Sequence, residues 1–443
     1  MKLKKEKQVV DSSQKVPLGE AIAFGLGDVA SNVFIQYIAV FLLVFYTDTL
    51  GIPAAVGGAI ILFSRLFDGV NDVVIAYIVD KSGKYKKWCL GFALLASATF
   101  FLMFLVPGNM GTAGKTVYAV LAFSIWTIIC TCYAIPYNTM SSTVTADPNE
   151  RTKLTAIRFA VIMLPVAAVN ILTPIIVGKY GPTWGYAVAA IIWGVIGFIG
   201  VFIFTKVCKE RVPVVRTPQQ KISLKETVQV IFSNKALLLC AGFFLFSNLR
   251  HNLTAAVLPY FFNYYLGSMS IYSLFSLINI PFSLFAFLIP SWVIKKLGKK
   301  NAGIFYSIFA IAVYVGRFVA ADNLAAQLVL FMLHSLPSCG LTVLGFAMIP
   351  DTVDYAIRKN GKESARAVNF SVCLFVQKLS MGLSATVLGV ALAAFGYVAN
   401  AAQSPESLNG ILMVYSIVLA VITAVAMIFI LFWNFDTKPE KAA

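Results

Sequence analysis

Stretches of about 20 mostly apolar residues, the length a helix needs to cross a bilayer, recur from one end of this chain to the other. They fall near 20–46, 54–79, 88–107, 116–139, 155–178 and 183–205, and again near 236–262, 270–294, 302–320, 325–349, 368–395 and 410–434. Of the 443 residues, 59% are hydrophobic and 12% charged, and the mean hydropathy is +0.83. A soluble domain carries roughly twice that charged fraction. Such a chain cannot cover itself with a polar shell, so lipid must be its solvent. The sequence predicts an all-α integral membrane protein with twelve transmembrane helices.

The longest polar stretch, Lys206 to Lys235, separates two sets of six spans. It divides the chain into a cytoplasmic arm (1–17), an N-terminal six-helix bundle (18–205), a linker (206–235), a C-terminal six-helix bundle (236–434) and a tail (435–443). The net charge of +16 could by itself be a footprint for nucleic acid. Its placement says otherwise: 28 of the 35 Lys and Arg lie in the arm, the tail and the loops that alternate onto the same side. Basic residues concentrate on cytoplasmic loops, which puts both termini in the cytoplasm and accounts for the charge without a nucleic-acid partner. The N-terminus lacks a short apolar core followed by a cleavage site, so the first span is expected to stay in place. The seven cysteines, an odd number mostly within apolar stretches, fit neither a disulfide framework nor a zinc site. Two six-helix halves joined by a basic central loop are the layout of the major facilitator fold, whose halves rock about a midplane site. IVDKSGKYKKW after the second span and WVIKKLGKKNAG after the eighth form a weak echo between the halves.

Ionisable residues inside a bilayer cost on the order of 3 kcal/mol or more each and point to function. The second span carries Arg65, Asp68 and Asp72 at i, i+3 and i+7, with Asn71 beside them, so they project from one side of a helix. Two carboxylates one turn apart repel unless a cation intervenes. Arg65 could be that cation, in a structural salt bridge. Alternatively the oxygens of Asp68, Asn71 and Asp72 suit a hard cation such as Na⁺, or a proton.

FYTDTLGI (45–52) followed by RLFDGVNDVVIAYIVDKSGKYKKW (65–88) resembles the glycoside-pentoside-hexuronide:cation symporter family. Further matches are GLGDVASN in the first span, CYAIPY in the fourth, DPNERTKLTAIRF into the fifth and IPDTVDYAIRKNGKESAR after the tenth, so the resemblance covers both halves. It implies a cation site at Asp68, Asn71, Asp72 and Thr131, with Na⁺ or H⁺ as coupling ion and no other cofactor. Val73 departs from the proline common in that family, and the loop after Asp80 is shorter. At positions matching the family's galactoside site stand Ser31, Asn32, Cys130, Ala134 and Asn138, which makes a galactoside an unsuitable cargo. Only Arg158 and Lys378 are kept. With two acids lost and two cations retained, the resemblance implies an anionic sugar such as a hexuronide, bound through Ser31, Asn32, Asn138, Arg158 and Lys378. The alternative is that Lys378 pairs with Asp68 or Asp72 and serves coupling.

Several other residues carry weaker signals. Asp28 reads as structural. Arg250 and His251 could face a central cavity or make a polar contact between halves, Arg317 is expected to snorkel from its span end, and His334 to pack. Asp351, Asp354 and Tyr355 suggest a latch to basic loop residues. An intramembrane Mg²⁺-dependent prenyltransferase would need a second acidic motif, which the sequence lacks. The expected function is therefore transport of a sugar or glycoside across a cell membrane coupled to Na⁺ or H⁺; an uncoupled facilitator and a carrier of lipid-like amphiphiles are the alternatives.

Overall fold

The computed structural model describes residues 15–108, 110–145, 147–211, 231–360 and 365–435. Most of the N-terminal arm, the linker and the tail, with part of the loop after the tenth span, lie outside them. In lipid every backbone polar group must be satisfied within its own segment, and each predicted span is a helix. The first comprises Leu18–Gly27 and Val29–Val44, ending in a π-helical turn, Phe45–Thr49. The second, third and fourth are Ala54–Ser82, Tyr85–Met103 and Thr112–Val144. The fifth and sixth share the run Pro148–Val207, broken at Gly181 (φ 75°, ψ 164°). The seventh, Lys235–Tyr260, ends in a second π-helical turn, Phe261–Tyr265. The eighth and ninth share Met269–Val319, broken at Gly298 (φ 79°, ψ 165°). Leu324–Asn360, Ala365–Ala394 and Pro405–Leu431 complete the set. Among the described residues eight helices are long and apolar enough to cross a membrane. Two of these are the broken runs, which hold two spans each. The second and seventh spans, which carry Arg65, Asp68 and Asp72, and Asn248, Arg250 and His251, are not among the eight.

The two halves repeat each other in their turns. Among the described residues the glycines with positive φ form three pairs: Gly51 and Gly267, Gly83 and Gly298, Gly181 and Gly396. Each pair follows equivalent spans of the two halves. At the first pair the match extends to hydrogen bonds. Leu50 N donates to Phe45 O and Ile52 N to Tyr46 O (3.0 and 2.9 Å), as Leu266 N does to Phe261 O and Ser268 N to Phe262 O (3.0 and 2.8 Å). A side chain on Gly51 or Gly267 would be strained at these φ values of 71° and 76°. Both turns read Phe, four residues, Leu, Gly. The Gly83/Gly298 pair lies within the echo between IVDKSGKYKKW and WVIKKLGKKNAG.

Contacts gather the chain into two compact units. One takes the described residues of 1–37, 70–109 and 117–218, the other those of 38–69, 110–116 and 219–443. The boundary therefore runs through the first and second spans. In the first unit, the sixth span crosses the first at Gly197 and Gly200, against Ala30 and Leu26. In the second, the second span lies so close to the eleventh that a Cβ on Gly58 would sit 2.6 Å from the Ala385 carbonyl oxygen, and one on Gly382 2.8 Å from Leu62 Cα. Membrane helices approach this closely only through small residues. Thr386 Oγ1 adds a hydrogen bond to Gly58 O at 3.1 Å. Gly58→Val is expected to cost about 1–3 kcal/mol through overpacking and to lower the detergent-solubilised unfolding temperature. Gly178→Ala, where a Cβ would meet nothing within 4 Å, should leave that temperature level or raise it.

Candidate transport site

The middle of the second span carries its polar residues on consecutive turns. In the second unit, Arg65 and Asp68 are buried, with 3.8 Å between Arg65 Nη1 and Asp68 Oδ2. Lys378 reaches the same oxygen from the eleventh span at 2.8 Å. Of the alternatives for Lys378, the structure displays the pairing with Asp68. In the first unit, half-buried Asp72 accepts a hydrogen bond from Thr131 Oγ1 of the fourth span at 3.3 Å. Asn71 is half-buried beside it. Carboxylate and hydroxyl oxygens are the donor set that a Na⁺ ion or a proton requires.

The candidate sugar residues of the first unit form a second cluster. Arg158 Nε, on the fifth span, meets Asp28 Oδ2 at 2.6 Å, and its Nη2 donates to Asn138 Oδ1 at 3.2 Å. The guanidinium also lies over the Tyr137 ring, 5.2 Å from its centroid. Asn32 Nδ2 donates to the Asp28 carbonyl at 3.0 Å, and Ser31 is half-buried next to it. Asp28 thus acts as the partner of Arg158. One turn beyond Asn32, Gln36 Nε2 donates to Asn170 Oδ1 at 3.0 Å. Neither of these two was expected, although Asp28, Asn32 and Gln36 fall at i, i+4 and i+8 in a mostly apolar span. That spacing is a readable stripe along one helix face. Amide groups on such a stripe can both donate to and accept from sugar hydroxyls.

A third cluster, in the second unit, gives the FYTD motif a structural role. Asp48 closes the first span within its π-helical turn and accepts hydrogen bonds from Tyr264 (2.6 Å), Tyr397 and Thr47 (2.6 Å). Asn400 Nδ2 binds the Asp48 carbonyl, and Thr47 Oγ1 and Tyr260 Oη are 2.9 Å apart. The cluster ties the end of the first span to the end of the seventh and to the turn after the eleventh. Burial and the Asp48 carboxylate hold the Tyr397 phenol well above its ordinary range, so it remains a neutral donor.

Several other polar residues of the C-terminal spans pair within that half. Arg250 donates to Tyr314 at 2.8 Å, and a His251 ring nitrogen lies 3.4 Å from Ser338 Oγ. Both partners lie, like Arg250 and His251, in the C-terminal half. Asp351 binds Lys299, from the turn between the eighth and ninth spans, at 2.5 Å. Arg317 does not snorkel. Although it stands in the last turn of its helix, it is fully buried, its guanidinium lying over the rings of Tyr314 and Tyr415.

A family model described as MFS/sugar transport protein matches residues 23–437. The chain belongs to that family. Its members are membrane transporters, so this multi-pass protein is not an enzyme, and the resemblance to glycoside-pentoside-hexuronide symporters agrees with the match. An isoprimeverose transporter of Lactiplantibacillus pentosus is 28% identical over 96% of this chain and 90% of its own length. A protein of Escherichia coli (strain K12) named "Putative sulfoquinovose importer" is also 28% identical, over 96% and 92%. Among solved structures, the inward open xylose transporter XylE from E. coli superposes with a TM-score of 0.67 at 12% identity, covering 95% of this chain and 97% of that one. At that identity the likeness speaks for the fold, a major facilitator with two six-helix halves.

Proposed function

We propose that this transporter is a symporter that takes up a neutral sugar or glycoside together with one Na⁺ or H⁺ across the cell membrane, with both termini in the cytoplasm. The observation that carries the proposal is the polar setting of the two aspartates one turn apart on the second span. The ammonium of Lys378 lies against Asp68, and a hydroxyl donates to Asp72. Asp68, Asn71, Asp72 and Thr131 take the cation, and Lys378 competes with it for Asp68. Cation and sugar each raise the other's affinity by the same factor, as linkage demands. Sugar hydroxyls meet Asn32, Asn138 and their neighbours in the first unit. The Asp48 cluster holds the ends of the first and seventh spans and the turn after the eleventh together.

The ion pairs bear on the charge of the cargo. Arg158 already has Asp28, and Lys378 already has Asp68, so neither cation waits for a substrate acid. Arg65, Lys378, Asp68 and Asp72 balance in formal charge, and adding one cation leaves a single positive charge to cross with a neutral sugar. The names of the two relatives, one for isoprimeverose and one for sulfoquinovose, do not choose between neutral and acidic cargo.

Proteoliposome uptake of a glycoside panel, including a glucuronide and its uncharged glucoside, tests this. A neutral glycoside should accumulate uphill under a Na⁺ or proton gradient, and faster with the interior negative. Absence of uphill uptake with either cation would reduce the protein to a facilitator. Preference for the glucuronide that vanishes in Arg158→Ala would make the cargo acidic.

A further inference from the structure

The C-terminal bundle contains two buried cations that the transport cycle above does not use. Arg250 on the seventh span and Arg317 on the ninth are both 0% exposed. They flank one tyrosine. Arg250 Nη1 donates to the Tyr314 hydroxyl at 2.8 Å, while the Arg317 guanidinium lies 5.4 Å from the Tyr314 ring centroid and 4.4 Å from that of Tyr415. Arg250 Nε and Nη2 and all three nitrogens of Arg317 are buried without a hydrogen-bond partner, as is the Tyr415 hydroxyl.

Arginine cannot shed its proton in a protein, so both groups stay charged. Buried charges need a counter-charge. Among the described residues, none of the acids of this half is paired with them. Asp351 binds Lys299, Asp322 accepts from Tyr265 after the seventh span, Glu406 is exposed, and Asp354 lies at the far end of the tenth span. The tyrosine faces attract Arg317 through their quadrupoles but supply no net charge. Water could bridge some of the donors, among them to the unpartnered Oε1 of Gln327, and it too brings no charge.

We propose that these groups bind a small monovalent anion, chloride, held by Arg250 Nε and Nη2, the Arg317 guanidinium and the Tyr415 hydroxyl. The Tyr314 hydroxyl, having accepted from Arg250, keeps its own proton for the same ion. Every group in the set donates and two are cationic, which selects an anion over water or a metal ion. The complete burial of both guanidiniums favours a halide over a bulky oxyanion. Such an ion would stabilise the C-terminal bundle separately from the sugar and its coupling cation.

Thermal unfolding of the purified protein at fixed Na⁺ and ionic strength tests the site, with chloride, bromide or gluconate as the anion. Chloride and bromide should raise the unfolding temperature saturably, and gluconate should not. Arg317→Gln should abolish the halide response. Should that variant fail to fold, Tyr415→Phe, which removes one neutral donor, should shift the chloride midpoint several-fold higher. Equal curves in chloride and gluconate would overturn the proposal, and so would a halide response unchanged in both variants. A glucuronate response as large as that to chloride, lost in the same variants, would assign the groups to an acidic cargo and overturn the halide.

Discussion

Asp72→Asn is expected to abolish Na⁺-stimulated uptake while leaving membrane insertion and unfolding temperature near those of the unsubstituted protein. The amide keeps an oxygen to accept the Thr131 hydroxyl that now lies 3.3 Å from Asp72 Oδ1, so the helix contact survives. What goes is a formal negative charge, and with it a group able to take a proton. A hydrogen bond to a charged group contributes about 1.5–3 kcal/mol, and each 1.4 kcal/mol is a factor of about ten. Cation affinity should therefore fall by about 10–150-fold, and proton-driven uptake should fail as well because Asn does not titrate. Na⁺ activation curves in vesicles, with isotopic sugar and no opposing potential, measure the effect. Stimulation that persists unchanged would remove Asp72 from the coupling site and leave the carboxylate a structural role.

The second large effect concerns the pair that joins the first and fifth spans. Asp28 Oδ2 and Arg158 Nε are 2.6 Å apart, with the Asp28 side chain 3% exposed and that of Arg158 24%. Removing one partner of a fully buried pair costs about 3–5 kcal/mol, because the other is left uncompensated. Arg158 can still reach some water, so Asp28→Asn should cost less, about 1–3 kcal/mol once that partial exposure is allowed for. Arg158→Gln should do likewise, and the double variant should recover part of the loss, since residues in one ion pair do not act additively. Unfolding temperatures of the four proteins give the coupling. If the single losses simply add, the pair is not a stabilising unit, and Arg158 becomes available to an acidic substrate.

Hydropathy made the helices readable because lipid imposes a local demand. Each segment must satisfy its own backbone and present apolar side chains, so twelve runs predicted twelve spans without reference to one another. The acids of the second span were readable for a similar reason, since ionisable groups stand out against an apolar background. Partners were not. Lys378 could serve coupling or a substrate, and only the folded chain brings it to Asp68, 2.8 Å away and 310 positions earlier in sequence. The expectation for Arg317 failed on the same ground. From the sequence the nearest relief for its charge is the end of its span, whereas Tyr415 offers a ring face that becomes available only once the ninth and twelfth spans pack. Gln36 and Asn170 could have been found, because the spacing of Asp28, Asn32 and Gln36 is helical, but polar amides stand out less than charges in an apolar run. The matching turns at Gly51 and Gly267 show how a repeat can persist in backbone conformation while the side chains around it differ.

The sequence by itself determined that this chain lives in a membrane, how many times it crosses, how its basic residues are distributed and which helix carries the carboxylates. These are properties of single segments and of their solvent. The tertiary structure decided which charges are paired: Asp28 with Arg158, Asp68 with Lys378, and Asp48 with the tyrosines of the seventh span and of the turn after the eleventh. Those pairings depend on how closely helices approach, as at Gly58 and Gly382, and on which faces they turn toward one another. Through them the two cations kept from the sugar site of the family became parts of internal ion pairs, which is why the cargo proposed above is a neutral sugar.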